Sequence, residues 1–352
     1  MSSRAMTGPE RIAALENLGY TSREAAFLCL AALHGGYFLR RQYCGFIGKE
    51  TGGTVAALVE KLLTQKHAVA ISALNNTKIY HLGSRPFYTL LRETDNRNRR
   101  EHSTPAMKKR LLGLDFVLAY PHYRYLATER EKLDYFSGTL GISLSTLPYK
   151  RYISQKTPST TIRYFVDKYP IFLNETGTNG PRPRASFCFV DEGSVTLSGF
   201  ETHLQQYAPL WCALKEFQVI YVADAQRLYQ SAERRFATFC GQLKSSESDP
   251  DARQAIRMLE HFEARFLYEK GDFASFSREK LIRLRNETVE FSGPAHQELY
   301  ERWKTAGAKA VVDAVAPKVR VPVALKASFS TYFVDHQYSF FGTAESSEFF
   351  VR

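Results

Sequence analysis

The chain has 352 residues, enough for at least two hydrophobic cores, because single cores stop growing near about 250 to 300 residues. Hydrophobic residues make up 44% and aromatic residues 13% of it, which excludes a disordered or low-complexity polymer. Its 47 Lys and Arg against 36 Asp and Glu give a formal charge of +11, a balance that favours polyanions: nucleic acid first, a membrane surface second.

Near the start, Arg4 and Arg11 are not followed by an uninterrupted apolar stretch, and no later segment reaches the roughly 18 apolar residues a bilayer span needs. A cytoplasmic protein with no membrane partner is expected. Cys29, Cys44, Cys188, Cys212 and Cys240 are odd in number, scattered and set in apolar patterns such as FLCLAAL and FCFV. They read as buried thiols of a reducing compartment, and no Cys/His spacing calls for a structural metal.

In chain order, TSREAAFLCLAALHGG opens on a Thr/Ser cap with Glu24 and closes on Gly35-Gly36, with Ala25, Leu28, Cys29, Ala32 and Leu33 at helical spacing. A short helix follows in FLRRQYCGFIG and a third in TGGTVAALVEKLLTQK, whose stripe is Val55, Leu58, Val59, Leu62 and Leu63. Two β-rich runs, Ala68 to Ser72 and Lys78 to Leu82, then flank Asn75-Asn76, a hairpin signal. Three helices and a hairpin in this order predict a winged helix-turn-helix over residues 1–92.

Such a domain lays its third helix in the major groove and touches the backbone with its wing. The expected DNA contacts are therefore Lys49, Thr51, Thr54 and Lys61 on or beside that helix, Asn75, Asn76 and Lys78 on the wing, and Arg40, Arg41 and Gln42 on the preceding helix. Arg97, Arg99 and Arg100, then Lys108, Lys109 and Arg110, form the densest basic run. They read either as an extension of the phosphate surface or as a solvated face.

Residues 93–150 are expected to be a basic connector followed by an amphipathic helix in STPAMKKRLLGLDFVLAY. Residues 151–243 alternate strand and helix: IRYFVDKYPIFLN, ASFCFVDEG, a helix from about Ser198 to Lys215, FQVIYVAD, and a helix through Arg234. Residues 244–352 read as helices ending in an aromatic β-like tail, FVDHQYSFFG. The fold class is thus α+β or α/β and multidomain.

Asp191 and Glu192 end an apolar strand, where carboxylates can ligate a divalent cation; Asp167 and Glu175 are candidate further acids. The competing reading is an acidic turn that caps the next helix near Ser198. No phosphate-cradling Gly-rich loop or nucleophile elbow is present, and no cofactor is expected unless Mg²⁺ serves a nuclease.

From about Leu18 to Phe236 the layout resembles the replication-relaxation family, encoded mostly on bacterial plasmids and integrated mobile elements. The resemblance rests on the helical trio and hairpin, the helix start REHSTPAMKKR around His102, and the series FVDEGS, HLQQY through Tyr207, and FQVIYVAD. It implies a second half similar to the core of PD-(D/E)XK nucleases, a small sheet flanked by helices. Pro183-Arg184 stands where such a nuclease carries Pro-Asp, and no Lys follows Glu192 at short spacing. These departures imply a scaffold used for contact rather than cleavage.

Three functions therefore compete: a duplex-DNA-binding regulator or accessory factor in mobilisation or replication, a Mg²⁺-dependent nuclease, and a protein-interaction module. Mobilisation or replication proteins and a second copy of the chain are the expected protein partners.

Overall fold

A computed structural model describes residues 6–49, 52–153, 160–174, 183–246, 250–273, 276–307, 311, 314–315, 325–336 and 338–341. The fold is mixed α and β, with several small sheets. It separates into two compact units: residues 1–236 with 327–352, and residues 237–326. The boundaries expected from the sequence, at 92, 150 and 243, do not coincide with this division. Among the described residues, no helix is long and apolar enough to cross a membrane.

The first unit begins with α1 (Gly8–Glu16) and α2 (Ser22–His34), each opened by a Thr/Glu capping box. Ala25, Phe27, Leu28, Ala31 and Ala32 of α2 are fully enclosed and seed a core. The chain leaves α2 through Gly36 at φ +77°, where a Cβ would lie 2.4 Å from the Asn98 carbonyl oxygen, so only glycine fits. There follow β1 (Tyr37–Leu39), α3 (Arg40–Ile47), α4 (Gly53–Thr64), β2 (Ala68–Ser72) and β3 (Lys78–Leu82). The three strands form an antiparallel sheet in the order β1-β3-β2.

At the hairpin tip Asn75 and Asn76 have φ of +56° and +54°, and the Thr77 N–H closes on the Leu74 carbonyl at 3.2 Å. This is the mirror-image turn that Asn tolerates and that matches strand twist.

After α5 (Arg85–Leu90) comes α6 (Thr104–Ala119), expected to be amphipathic. It is instead buried around its circumference, with Leu111, Leu112, Gly113, Leu114, Asp115, Phe116 and Val117 all enclosed. A helix apolar on every side belongs inside a layered core. The next elements are β4 (Arg124–Tyr125), α7 (Glu129–Leu133), and the β5 (Tyr149–Ile153) and β6 (Thr160–Tyr164) hairpin. Then come β7 (Ile171–Asn174), β8 (Arg184–Asp191), α8 (Ser198–Leu214), β9 (Glu216–Ala223) and α9 (Tyr229–Ser246).

A five-stranded sheet has the order β10-β9-β8-β7-β4, where β10 (Lys326–Phe333) is the edge built from the segment before the aromatic tail. β8 runs parallel to β9 and antiparallel to β7, and β4 is antiparallel to β7. Phe187 and Phe189 meet Trp211 and Phe200 of α8 on one face; Phe116 of α6 meets Phe172 and Tyr332 on the other. IRYFVDKYPIFLN, which reads as one strand, is split into β6 and β7 by Phe165 and Lys168 at φ +49° and +60°.

The second unit holds α10 (Pro250–Glu269), α11 (Arg278–Glu290) and α12 (Pro294–Ala306) around Met258, Phe262, Phe291, Tyr300 and Val311.

Candidate nucleic-acid interface

α4 turns Val55, Leu58, Val59 and Leu62 into the core and leaves Thr54, Ala56, Ala57, Glu60, Leu63 and Thr64 outward. Thr54 is exposed in its first turn, Lys49 is exposed just ahead of it, and Asn75 and Asn76 are exposed at the hairpin tip. Lys78 donates to the Ser72 hydroxyl at 2.6 Å and stays exposed. Arg40 is exposed at the start of α3, its guanidinium 5.9 Å from the Tyr80 ring. Lys66, which sequence reasoning passed over, is also exposed just after α4. Thr51 and Glu175 lie outside the described residues.

Several expected contacts face inward instead. Gln42 is 2% exposed: its amide donates to the Leu111 carbonyl at 2.9 Å and to Asp115 at 2.8 Å, while its oxygen accepts the Leu39 N–H. Arg41 forms a two-pronged bond with Asp115, both arms 2.8 Å, and lies over the Tyr338 ring. Burial opposes the Arg41 charge, but Asp115 and Tyr338 outweigh it. Lys61 turns back to Glu24 at 3.1 Å and to the Gly19 carbonyl at 2.9 Å. Gln42 is thereby removed from the phosphate set, and the charges of Arg41 and Lys61 are met within the chain.

Most of the basic run after the hairpin is likewise absorbed. Arg97 lies 4.0 Å from the Tyr152 ring centroid and donates to its hydroxyl; Arg99 donates to the Thr94 carbonyl at 2.9 Å. Lys108 pairs with Asp224 at 2.7 Å and Lys109 with Glu192 at 3.0 Å. Arg110 bonds His102 and Asn98. Arg100 stays exposed.

The acidic candidates have separate partners. Asp191 is buried, accepts from the N–H groups of Gly193 and Ser194 at 3.0 and 2.7 Å, and accepts the Tyr221 hydroxyl at 2.8 Å. Burial and the Asp191 charge push the Tyr221 phenol far up. Glu192 is held by Lys109.

Asp167 faces His203 at 3.3 Å and Tyr207 at 3.1 Å. Burial works against its charge, yet His203, Lys132 and Tyr207 hold it below the usual carboxylate range. Lys132, beneath Asp167, is drawn down to about 8 by burial. Asp191 and Glu192 form a turn anchored to a neighbouring strand and to α6, and Asp167 belongs to a different buried cluster. Among the described residues no three His, Cys, Asp or Glu side chains gather as a metal site.

Asp115 and Tyr338, which tie Arg41 and Gln42 into one polar network, gave no signal in the sequence. Tyr338 donates to Asp115 at 2.5 Å across 223 positions of chain. No family model, curated protein or solved structure matches the chain.

Proposed function

We propose that this chain is a cytoplasmic, duplex-DNA-binding protein of a bacterial mobile element, a regulator or accessory factor in its replication or transfer. In this reading α2 to β3 is a winged helix. The N-terminal end of α4 meets base edges through Thr54, and Arg40, Lys49, Lys66, Lys78 and the Asn75-Asn76 tip grip the backbone. The observation that carries the reading is an exposed hairpin tip and an exposed start of α4, in a segment where α2, α3 and α4 precede the β2-β3 hairpin and β1, between α2 and α3, completes the β1-β3-β2 sheet. The five-stranded sheet between α6 and α8 supports a nuclease-like scaffold, as the replication-relaxation resemblance implies. With Asp191, Glu192 and Asp167 in structural pairings, it serves as a platform for DNA or protein contact.

The four exposed cations Arg40, Lys49, Lys66 and Lys78 set the salt dependence. The slope of log K against log salt for a duplex should be about −4, since each neutralised phosphate contributes roughly −0.9. Fluorescence anisotropy over a salt series measures it, and Lys49→Glu and Lys78→Glu should each weaken binding and flatten the slope by about one. Unchanged binding in both variants refutes the reading.

A second reading, a surface for protein contact, is favoured by the exposed apolar side chains Leu63, Val69 and Leu74, of which Val69 is 52% exposed. Complete absence of duplex binding at low salt selects it.

A further inference from the structure

We propose that the cavity walled by residues 92–97, α7 and the segment from β6 to β7 is a site for a phosphomonoester of nucleotide size. It lies apart from α4 and the hairpin and does not rest on duplex binding there. The cavity measures about 570 Å³, within the range of about 300 to 1,000 Å³ that accommodates small organic ligands.

Its charges do not cancel. Glu129 accepts the Tyr164 N–H at 2.8 Å and faces Arg163 at 3.7 Å, and Glu93 accepts the Asn96 amide at 2.9 Å. Burial also pushes the Glu93 carboxyl above its usual range. Asp134 faces Arg130 at 3.7 Å.

Among the described residues, three cations lining the cavity make no ion pair: Arg92, Arg97 and Lys168. The Arg97 guanidinium lies over the Tyr152 ring and donates to its hydroxyl, neither of which brings a carboxylate to its charge. Burial lowers the Lys168 ammonium, and the Glu129 and Glu93 charges only partly compensate. The carboxylates on the same wall are Glu93, Glu129, Asp134 and the exposed Asp95.

Counting every lining side chain, the five cations Arg92, Arg97, Arg130, Arg163 and Lys168 face four carboxylates, an excess of one positive charge, and an anion is the ligand that closes it. Two arginine forks and a lysine are the donor set that a phosphate's peripheral oxygens take. The remaining volume suits a nucleoside, with Tyr164 on the wall for a base to pack against. Arg92 and Lys168 both hold left-handed backbone, at φ +55° and +60°.

Two sources share this chemistry: a free nucleotide and the phosphorylated end of a DNA strand. Calorimetric titration of the full chain with inorganic phosphate, a nucleoside 5′-monophosphate, and matched short single-stranded oligonucleotides bearing a 5′-phosphate or a 5′-hydroxyl tells them apart. Saturable binding of phosphate and mononucleotide identifies a small-molecule site. Binding of the 5′-phosphorylated oligonucleotide alone, with the 5′-hydroxyl form silent, identifies a strand end. In either case Lys168→Gln and Arg97→Gln should each weaken affinity at least about tenfold, the worth of one charge-assisted bond.

Near-UV circular dichroism reports whether each variant is folded. Arg92→Gln, at an exposed position, keeps the test decisive if a more buried change is not tolerated. Lys49→Glu should leave phosphate binding intact whatever it does to duplex binding. The proposal is overturned if no probe binds at millimolar concentration, or if folded Lys168→Gln, Arg97→Gln and Arg92→Gln bind as the wild type does.

Discussion

Asp115→Ala should be the most damaging single polar substitution in the first unit. The carboxylate accepts two bonds from Arg41 and one from Gln42, all at 2.8 Å, and one from Tyr338 at 2.5 Å. Removing one partner of a buried ion pair costs about 3 to 5 kcal/mol, because the other charge is stranded. Here the Arg41 side chain is 31% exposed and can recover some water, so the lower end applies, about 3 kcal/mol. The buried Tyr338 hydroxyl also loses its acceptor, adding about 1 kcal/mol, whereas the Gln42 amide keeps the Leu111 carbonyl. The sum is about 4 kcal/mol.

Tyr338→Phe should cost about 1.5 kcal/mol, and the double variant should lose less than the sum of the two. Urea unfolding read from Trp211 fluorescence in a Trp303→Phe background isolates this unit, since Trp303 sits in the other. A loss below about 1 kcal/mol in Asp115→Ala would refute the network as a source of stability.

Asp191→Ala should destabilise by about 2 to 3 kcal/mol, because two backbone N–H groups and the Tyr221 hydroxyl lose their acceptor. Melting of the wild type with and without Mg²⁺ should give the same midpoint; a Mg²⁺-dependent rise that Asp191→Ala abolishes would contradict the structural role. Asn76→Val places a β-branched residue at φ +54° and should cost about 1 to 2 kcal/mol, measured in the same unfolding assay; a neutral result would mean the turn is not formed as described.

Burial holds His34 down to about 3, against 6.5 for a free imidazole. Between these values the unfolded chain takes up a proton that the folded chain refuses, so stability falls as pH drops from 6.5 towards 3 and is unaffected above 6.5. His34→Phe, which keeps the ring contact with Tyr125, should remove up to about 1.4 kcal/mol per pH unit of that slope. An unchanged slope in melts from pH 7 to pH 4 would count against a buried neutral His34.

The local signals in the sequence were strong where chemistry and structure are neighbours in the chain. The Thr21/Glu24 cap, the stripe of α4 and the Asn75-Asn76 turn each follow from residues within one turn of each other. Partnerships across long separations were not legible. Arg41 and Gln42 look like surface residues until Asp115, more than 70 positions on, is brought beside them. Lys108 and Lys109 look like a phosphate-binding pair until Asp224 and Glu192 arrive from the sheet. The break between β6 and β7 was hidden for another reason: its left-handed positions are Phe165 and Lys168, neither of which advertises a turn as Gly or Asn would.

These long-range partnerships converge on α6, and that explains why the hairpin-bearing segment is not a free-standing module. Leu114 of α6 belongs to the core of α2, α4 and β3, whereas Phe116, two residues on, packs on Phe172 and Tyr332 of the larger sheet. Between them Asp115 fixes Arg41 and Gln42 on α3 from behind and receives Tyr338 from the far end of the chain. The Phe340 carbonyl in turn accepts the Leu74 N–H at the hairpin, 3.0 Å away. The orientation of Arg40 and of the hairpin tip is therefore set by contacts that arise well beyond residue 92. A fragment ending there would keep the outward residues of the proposed interface but lose the carboxylate and the aromatic strap that position them.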